Sequence, residues 1–122
     1  MIGDERNTGQ LSEKIVNHHP MLVRIVRMTF REDTLPDCRT IFDRSKHHIR
    51  AFPGNRHLEL LCDPANSAIR MTYSLWDSID DLEAYRQSKL FRTTWAATKV
   101  LFAERAVAFS GERMEIFSAE EL

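Results

Sequence analysis

Two runs rich in strand-forming residues, RHLELLCD and SAIRMTYSLW, lie on either side of a short segment, Asp63-Pro64-Ala65-Asn66, whose Asp, Pro and Asn are turn formers. Strands joined this closely pair antiparallel, and pairing fixes which side chains share a face. With Cys62 opposite Ser67, Leu60 pairs with Ile69, Leu58 with Met71, Glu59 with Arg70 and His57 with Thr72. One face then carries Leu58, Leu60, Cys62, Ile69, Met71, Tyr73 and Leu75. The other carries His57, Glu59, Arg70, Thr72, Ser74 and Trp76. A slip of one residue mixes these sets, which favours this register.

The segments around the hairpin complete a pattern. MLVRIVRMTF, residues 21 to 30, reads as a strand buried on much of both faces. Asp33 or Thr34 can cap a helix with Pro36 in its first turn and Asp37 at the positive end of its dipole. Apolar residues at Leu35, Cys38, Ile41, Phe42, Ile49 and Phe52 form its buried stripe, and Pro53-Gly54 stops it. Ser78 with Asp81 is a capping box that opens a second helix with Leu82 and Tyr85 inward. A break near Ser88 starts another stripe of Phe91, Trp95, Thr98 and Phe102. Arg105 to Ser110 reads as a fourth strand, with a bulge at Gly111 and an extension through Met114 and Ile116.

The order strand, helix, strand, strand, helix, strand is the split βαβ pattern of an α+β, ferredoxin-like domain with an antiparallel sheet. Right-handed crossovers put both helices on one face of the sheet. The strands carry too much apolar surface to leave the other face in water, so a second copy is expected to cover it. A homodimer follows.

The totals fit this architecture. A chain of 122 residues with 43% hydrophobic content suits one domain, expected over residues 21–122. Residues 1–20 read as a flexible extension outside it. Charged residues, 29% of the chain, nearly cancel at a net charge of -1, so neither nucleic acid nor a membrane surface is an expected partner. The N-terminus has charges in place of an apolar signal region, and no run is long and apolar enough for a membrane helix. Cys38 and Cys62 lack C-x-x-C spacing and are expected as reduced thiols, which suggests the cytoplasm. His18-His19 and His47-His48 are adjacent pairs whose side chains diverge, so no metal site is expected. The four glycines are scattered, and no phosphate-binding loop for a nucleotide or flavin is present.

MLVRIVRMTF, IRAFPGNRHLELL, TYSLWDS and LEAYRQSKLFRTTW together resemble the antibiotic biosynthesis monooxygenase (ABM) domain across roughly residues 21 to 110. Trp76 followed by Asp77-Ser78, and the later Tyr85, Ser88 and Phe91, carry the likeness most distinctively. The resemblance implies a dimeric α/β barrel with two sheets packed face to face, and a pocket in each subunit between sheet and helices. The fold hosts quinol oxygenases, haem-degrading enzymes, isomerases of signalling molecules and members with no known reaction. The haem-degrading branch uses an Asn on strand one, a Trp after strand three and a His on the last helix. Here Trp76 matches, but Val26 stands at the Asn and Trp95 at the His, which disfavours haem degradation. The branch that oxidises aromatic polyketides matches at Trp76, while its Asn four residues earlier is Thr72, whose hydroxyl donates one hydrogen bond.

The implied activity is a cofactor-independent monooxygenase acting on a quinol-like or anthrone-like aromatic. Such an enzyme binds the ring, helps a proton leave and stabilises the anion. Trp76, Thr72 and His57 are the candidate catalytic residues, with Tyr85, Phe91, Trp95 and Arg70 for substrate binding and no cofactor or metal. Trp76 ends strand three just before a helix cap, where an indole offers a flat wall and an N–H donor. His57 offers a base, Glu59 an orienting carboxylate and Arg70 a cation. Ordinary packing competes with each assignment: the aromatics as core, Glu59 with Arg70 as a cross-strand ion pair, and His57 bonded to Thr72. The proposed register puts Trp76 on the polar face, so either a bulge near Ser74 redirects it or that face lines the pocket. The alternative to an enzyme is a ligand-binding or structural homodimer without turnover.

Overall fold

The computed structural model describes residues 21–119. The expected extension at residues 1–20 lies outside the described residues, as do residues 120–122. The first strand, β1, spans Leu22–Thr29 and is followed by a 3-10 turn at Glu32–Thr34. Helix α1 spans Leu35–Arg50, strand β2 Asn55–Cys62 and strand β3 Ile69–Trp76. Helices α2 (Ile79–Arg86) and α3 (Lys89–Lys99) precede β4 (Val107–Glu112). The sheet order is β2-β3-β1-β4 and every pair is antiparallel, which is the ferredoxin-like α+β topology.

Local chemistry accounts for the helix ends. Thr34 is the N-cap residue of α1, but its hydroxyl donates backward to the carbonyls of Arg31 and Leu101 at 2.6 and 3.0 Å, tying the helix start to the chain beyond α3. Ser78 Oγ accepts from Asp81 N at 3.1 Å and Ser88 Oγ from Phe91 N at 3.1 Å, so a serine caps each helix and the cap at Ser88 divides α2 from α3. Gly54, at φ 87°, makes the turn from α1 into β2. A Cβ there would lie 2.4 Å from Asp81 Cγ, so glycine also admits the cap of α2.

The hairpin register differs from the expected one. Cys62 lies opposite Arg70, Leu60 opposite Thr72, Leu58 opposite Ser74 and Glu59 opposite Tyr73, three positions from the sequence reading. Residues 63–68 form the connection. Asp63 Oδ1 accepts from Ala65 N and Asn66 N at 2.7 and 3.1 Å, Asn66 Oδ1 from Ala68 N at 3.0 Å, and Asn66 O from Ile69 N at 3.0 Å. These bonds, with Phe30 N donating to Ala68 O at 2.9 Å, hold Ser67 and Ala68 in the turn. An odd slip exchanges the faces. Leu58 and Leu60 therefore share a face with Thr72, Ser74 and Trp76, and the expected ion pair of Glu59 with Arg70 does not form. The irregularity in the ladder falls between Asn55 and His57, not near Ser74.

The helices cover the Trp76 face. One buried cluster there joins Leu22, Trp76 and Leu82, with Phe52 and Tyr85 against it. A second joins Met28, Phe30 and Cys38, flanked by Trp95, Leu101 and Phe102. The opposite face carries Val23, Ile25, Tyr73 and Leu75, all half-buried, beside Val107 and Phe109, which are 53% and 54% exposed. Strand β4 ends at Glu112: Gly111 pairs regularly with Val23, and Met114 is 96% exposed. The expected bulge and extension are absent at those positions. No helix among the described residues is long and apolar enough to cross a membrane.

Candidate functional site

Between the two buried clusters lies a cavity of about 440 Å³, bounded by the inner sheet face and the three helices. Its sheet wall alternates as a strand must: Arg24, Val26 and Met28 from β1, Leu58 and Leu60 from β2, and Thr72, Ser74 and Trp76 from β3. Ala106 precedes β4 and Ala108 lies on it, and both face the cavity. Their small side chains leave room where a larger pair would fill it. Helix α1 contributes Cys38, Ile41, Phe42, Ser45 and Ile49.

Aromatic rings form a continuous chain along one side. Trp76 stacks on Tyr85 at 5.0 Å, Tyr85 meets Phe91 edge to face at 5.2 Å, and Phe91 stacks on Trp95 at 5.9 Å and 11°. Trp95 then meets Phe102 at 5.6 Å. The Ser88 cap turns the chain between α2 and α3, which lets residues from both helices continue one aromatic wall. Trp76 is 1% exposed, and its Nε1–H donates to Ser74 Oγ at 3.0 Å, so its indole is fixed as a wall. Ser74, also buried, lies 3.5 Å from the Arg24 carbonyl.

The polar groups at the cavity are few. Burial pushes the Tyr85 phenol up to about 12, so it stays protonated near neutrality and keeps an O–H to donate. Its hydroxyl makes no hydrogen bond to another described residue. Burial also pushes the Cys38 thiol up, opposed by Arg70 and Arg39. The Arg24 guanidinium is held below its usual range, first by burial and then by Arg86, with Glu83 acting the other way. Among the described residues no group of three or more His, Cys, Asp or Glu could hold a metal ion.

The structure gathers Thr72, Trp76, Tyr85, Phe91 and Trp95 around this cavity. His57 is not among them. It lies with Glu59 on the opposite face, 3.2 Å from that carboxylate and edge to face with Tyr73 at 6.2 Å. Arg70 turns toward the hairpin, where its Nε donates to Ser67 O at 2.7 Å. Sequence reasoning missed Arg24 and Ser74 as cavity residues. The signal for Arg24 was a cation at the same strand parity as Leu22, Val26 and Met28, inside an otherwise apolar run.

A family model described as antibiotic biosynthesis monooxygenase matches residues 21–97, more than half of the chain. No curated protein sequence matches it. Among solved structures, Rv0793 from Mycobacterium tuberculosis is 18% identical with a TM-score of 0.74, covering 80% of this chain and 99% of its own. A candidate antibiotic biosynthesis monooxygenase from Nitrosomonas europaea is 16% identical with a TM-score of 0.73, covering 77% and 90%. A conserved protein from Methanosarcina mazei Go1 is 8% identical with a TM-score of 0.74, covering 76% and 92%. At these identities the structural likeness establishes the fold, and activity has to be argued from the site.

Proposed function

Since the chain belongs to the antibiotic biosynthesis monooxygenase family, we propose that it is a cofactor-independent monooxygenase acting on a small quinol-like or anthrone-like aromatic. The observation that carries the reading is the cavity of about 440 Å³ walled by Trp76, Tyr85, Phe91 and Trp95. Its volume and stacked rings suit a flat aromatic substrate.

An electron-rich ring supplies its own reducing power. For an anthrone-like substrate, the acidic CH2 loses a proton and the carbanion gives an electron to oxygen. The two radicals combine at that carbon, and loss of water from the hydroperoxide leaves a carbonyl, so one CH2 and one O2 become one C=O and one H2O. The protein holds the ring against Trp76 and Trp95 and stabilises the oxyanion conjugated with the carbanion. The Tyr85 O–H and Thr72 hydroxyl are the neutral donors for this role, and Trp76 acts through shape because its N–H is engaged by Ser74. His57, on the opposite face, has no part in this reading.

Oxygen uptake with a panel of hydroquinones and anthrones in metal-free buffer tests the proposal. A rate above the uncatalysed one that falls at least tenfold in Tyr85→Phe plus Thr72→Val, roughly two lost oxyanion donors, is the expected result. No uptake above background with any candidate would favour the second reading, a ligand-binding domain without turnover. That reading draws on the cavity lining, which among the described residues contains no carboxylate or imidazole to take a proton.

The working unit in this proposal is a homodimer joined through the outer sheet face. Its support is the apolar set Val23, Ile25, Tyr73, Leu75, Val107 and Phe109 on that face. A reducing, cytoplasmic setting is also proposed, supported by the free thiols of Cys38 and Cys62.

A further inference from the structure

Arg24 sets this cavity apart from a purely apolar one. It projects from β1 into the helix-covered side, where its guanidinium shares the lining with Arg86. Arg86 is exposed and paired with Glu83 at 2.9 Å. Arg24 is half-buried, and its hydrogen bond from Nη1 goes to the neutral Ser110 Oγ at 3.1 Å. Among the described residues no carboxylate lies within ion-pair distance of Arg24, and none lines the cavity. A guanidinium partly withdrawn from water without a charge partner is disfavoured, and an anion entering the cavity beside it offsets that cost.

We infer that the ligand of this site is an aromatic carboxylate, its rings along the Trp76–Trp95 wall and its carboxylate on the Arg24 guanidinium. The inference rests on the reading of this cavity as the ligand site. The planar fork of arginine matches a carboxylate through two parallel N–H bonds, whereas a single neutral hydroxyl uses only one. A phosphate dianion fits less well, because most of the remaining wall is apolar and no Gly-rich loop supplies further N–H groups. Ser110, at the exposed edge strand, is a positioning residue that aims the fork inward. Arg86, already paired with Glu83, contributes little of the preference.

Calorimetric titration of the full chain with 2-naphthoate and with its neutral isostere 2-naphthamide at pH 7 tests this, since the two differ in charge and hardly in shape. The expected result is a naphthoate Kd lower by about tenfold or more. Arg24→Gln should bring the two ligands within about twofold, and Arg86→Gln should leave most of the preference. Arg24→Lys keeps the charge without the fork and should give an intermediate preference, which serves if the glutamine variant does not fold. Equal affinities in the unaltered protein, an undiminished preference in the Arg24 variants, or no saturable naphthoate binding at millimolar concentration would each overturn the inference. Binding is read without turnover, so its failure and that of the oxygenase reading are separable: carboxylate preference without oxygen uptake removes only the latter. Uptake with a neutral hydroquinone, without carboxylate preference, removes only the former.

Discussion

The two faces of the sheet are built from the same strands and have opposite fates. The inner face buries Leu22, Met28, Phe30 and Trp76 under helices and keeps a cavity between them. The outer face carries a comparable apolar set, Val23, Ile25, Tyr73 and Leu75, with no helix of the described residues over it, and leaves Phe109 54% exposed. Alternation along each strand forces the division, because every residue turned toward the helices leaves its neighbours turned away. The difference teaches that apolar content alone does not say which face is core. Helix placement decides it, and the helices follow from right-handed crossovers.

The largest effect should come from emptying the inner face. Trp76→Ala removes a fully buried ring that stacks on Tyr85, and it leaves Ser74 without its indole donor. A loss of about 3–5 kcal/mol is expected by denaturant unfolding. A loss below about 1 kcal/mol would show that the Trp76 end packs loosely and that the two faces differ less than their burial indicates.

A charge placed on the outer face should act on association rather than folding. Leu75→Lys puts an ammonium in the centre of the proposed dimer contact, and sedimentation should show a dimer weakened by about 2 kcal/mol or more. If the dimer forms through another surface, the variant will sediment as the unaltered protein does.

The smallest effect is a pH signature of the inner face. The Tyr85 phenol is raised to about 12 by burial, against about 10 when unfolded. Its contribution is therefore fully present below pH 10 and is lost as pH rises from 10 toward 12, because the unfolded chain releases the proton first. The loss across that range is of order 2 kcal/mol. Thermal unfolding of Tyr85→Phe between pH 8 and pH 11 should show a shallower alkaline decline. Identical slopes in the two proteins would mean that the phenol is solvated in the native state.

Particular residues show how far the amino-acid pattern reached. Ser78 with Asp81 and the break at Ser88 were legible because a cap is a contact between near neighbours. The aromatic wall was legible as a stripe of Tyr85, Phe91 and Trp95, although its size and its closure by Trp76 were not. Arg24 is not legible as a site residue in the sequence because an arginine in a strand ordinarily faces water, and only the position of the helices turns it toward a cavity. The sequence pattern groups His57 with Trp76 because a four-residue turn gives the cleaner separation of apolar from polar residues.

By itself, the sequence determined the order of the elements, the serine caps of α2 and α3 and the gathering of the helices on one side of the sheet, since each rests on local propensity, short-range bonds or crossover handedness. The hairpin register, and with it the face that holds Trp76, Thr72 and Ser74, was decided only in three dimensions. Alternation along β3 separates an apolar set from a mostly polar one, but it does not say which of the two the helices cover. The choice depends on pairing Leu22 with Trp76 across β1 and on the bond from Phe30 N to Ala68 O. Contacts between residues so far apart along the chain exist only once the sheet has formed.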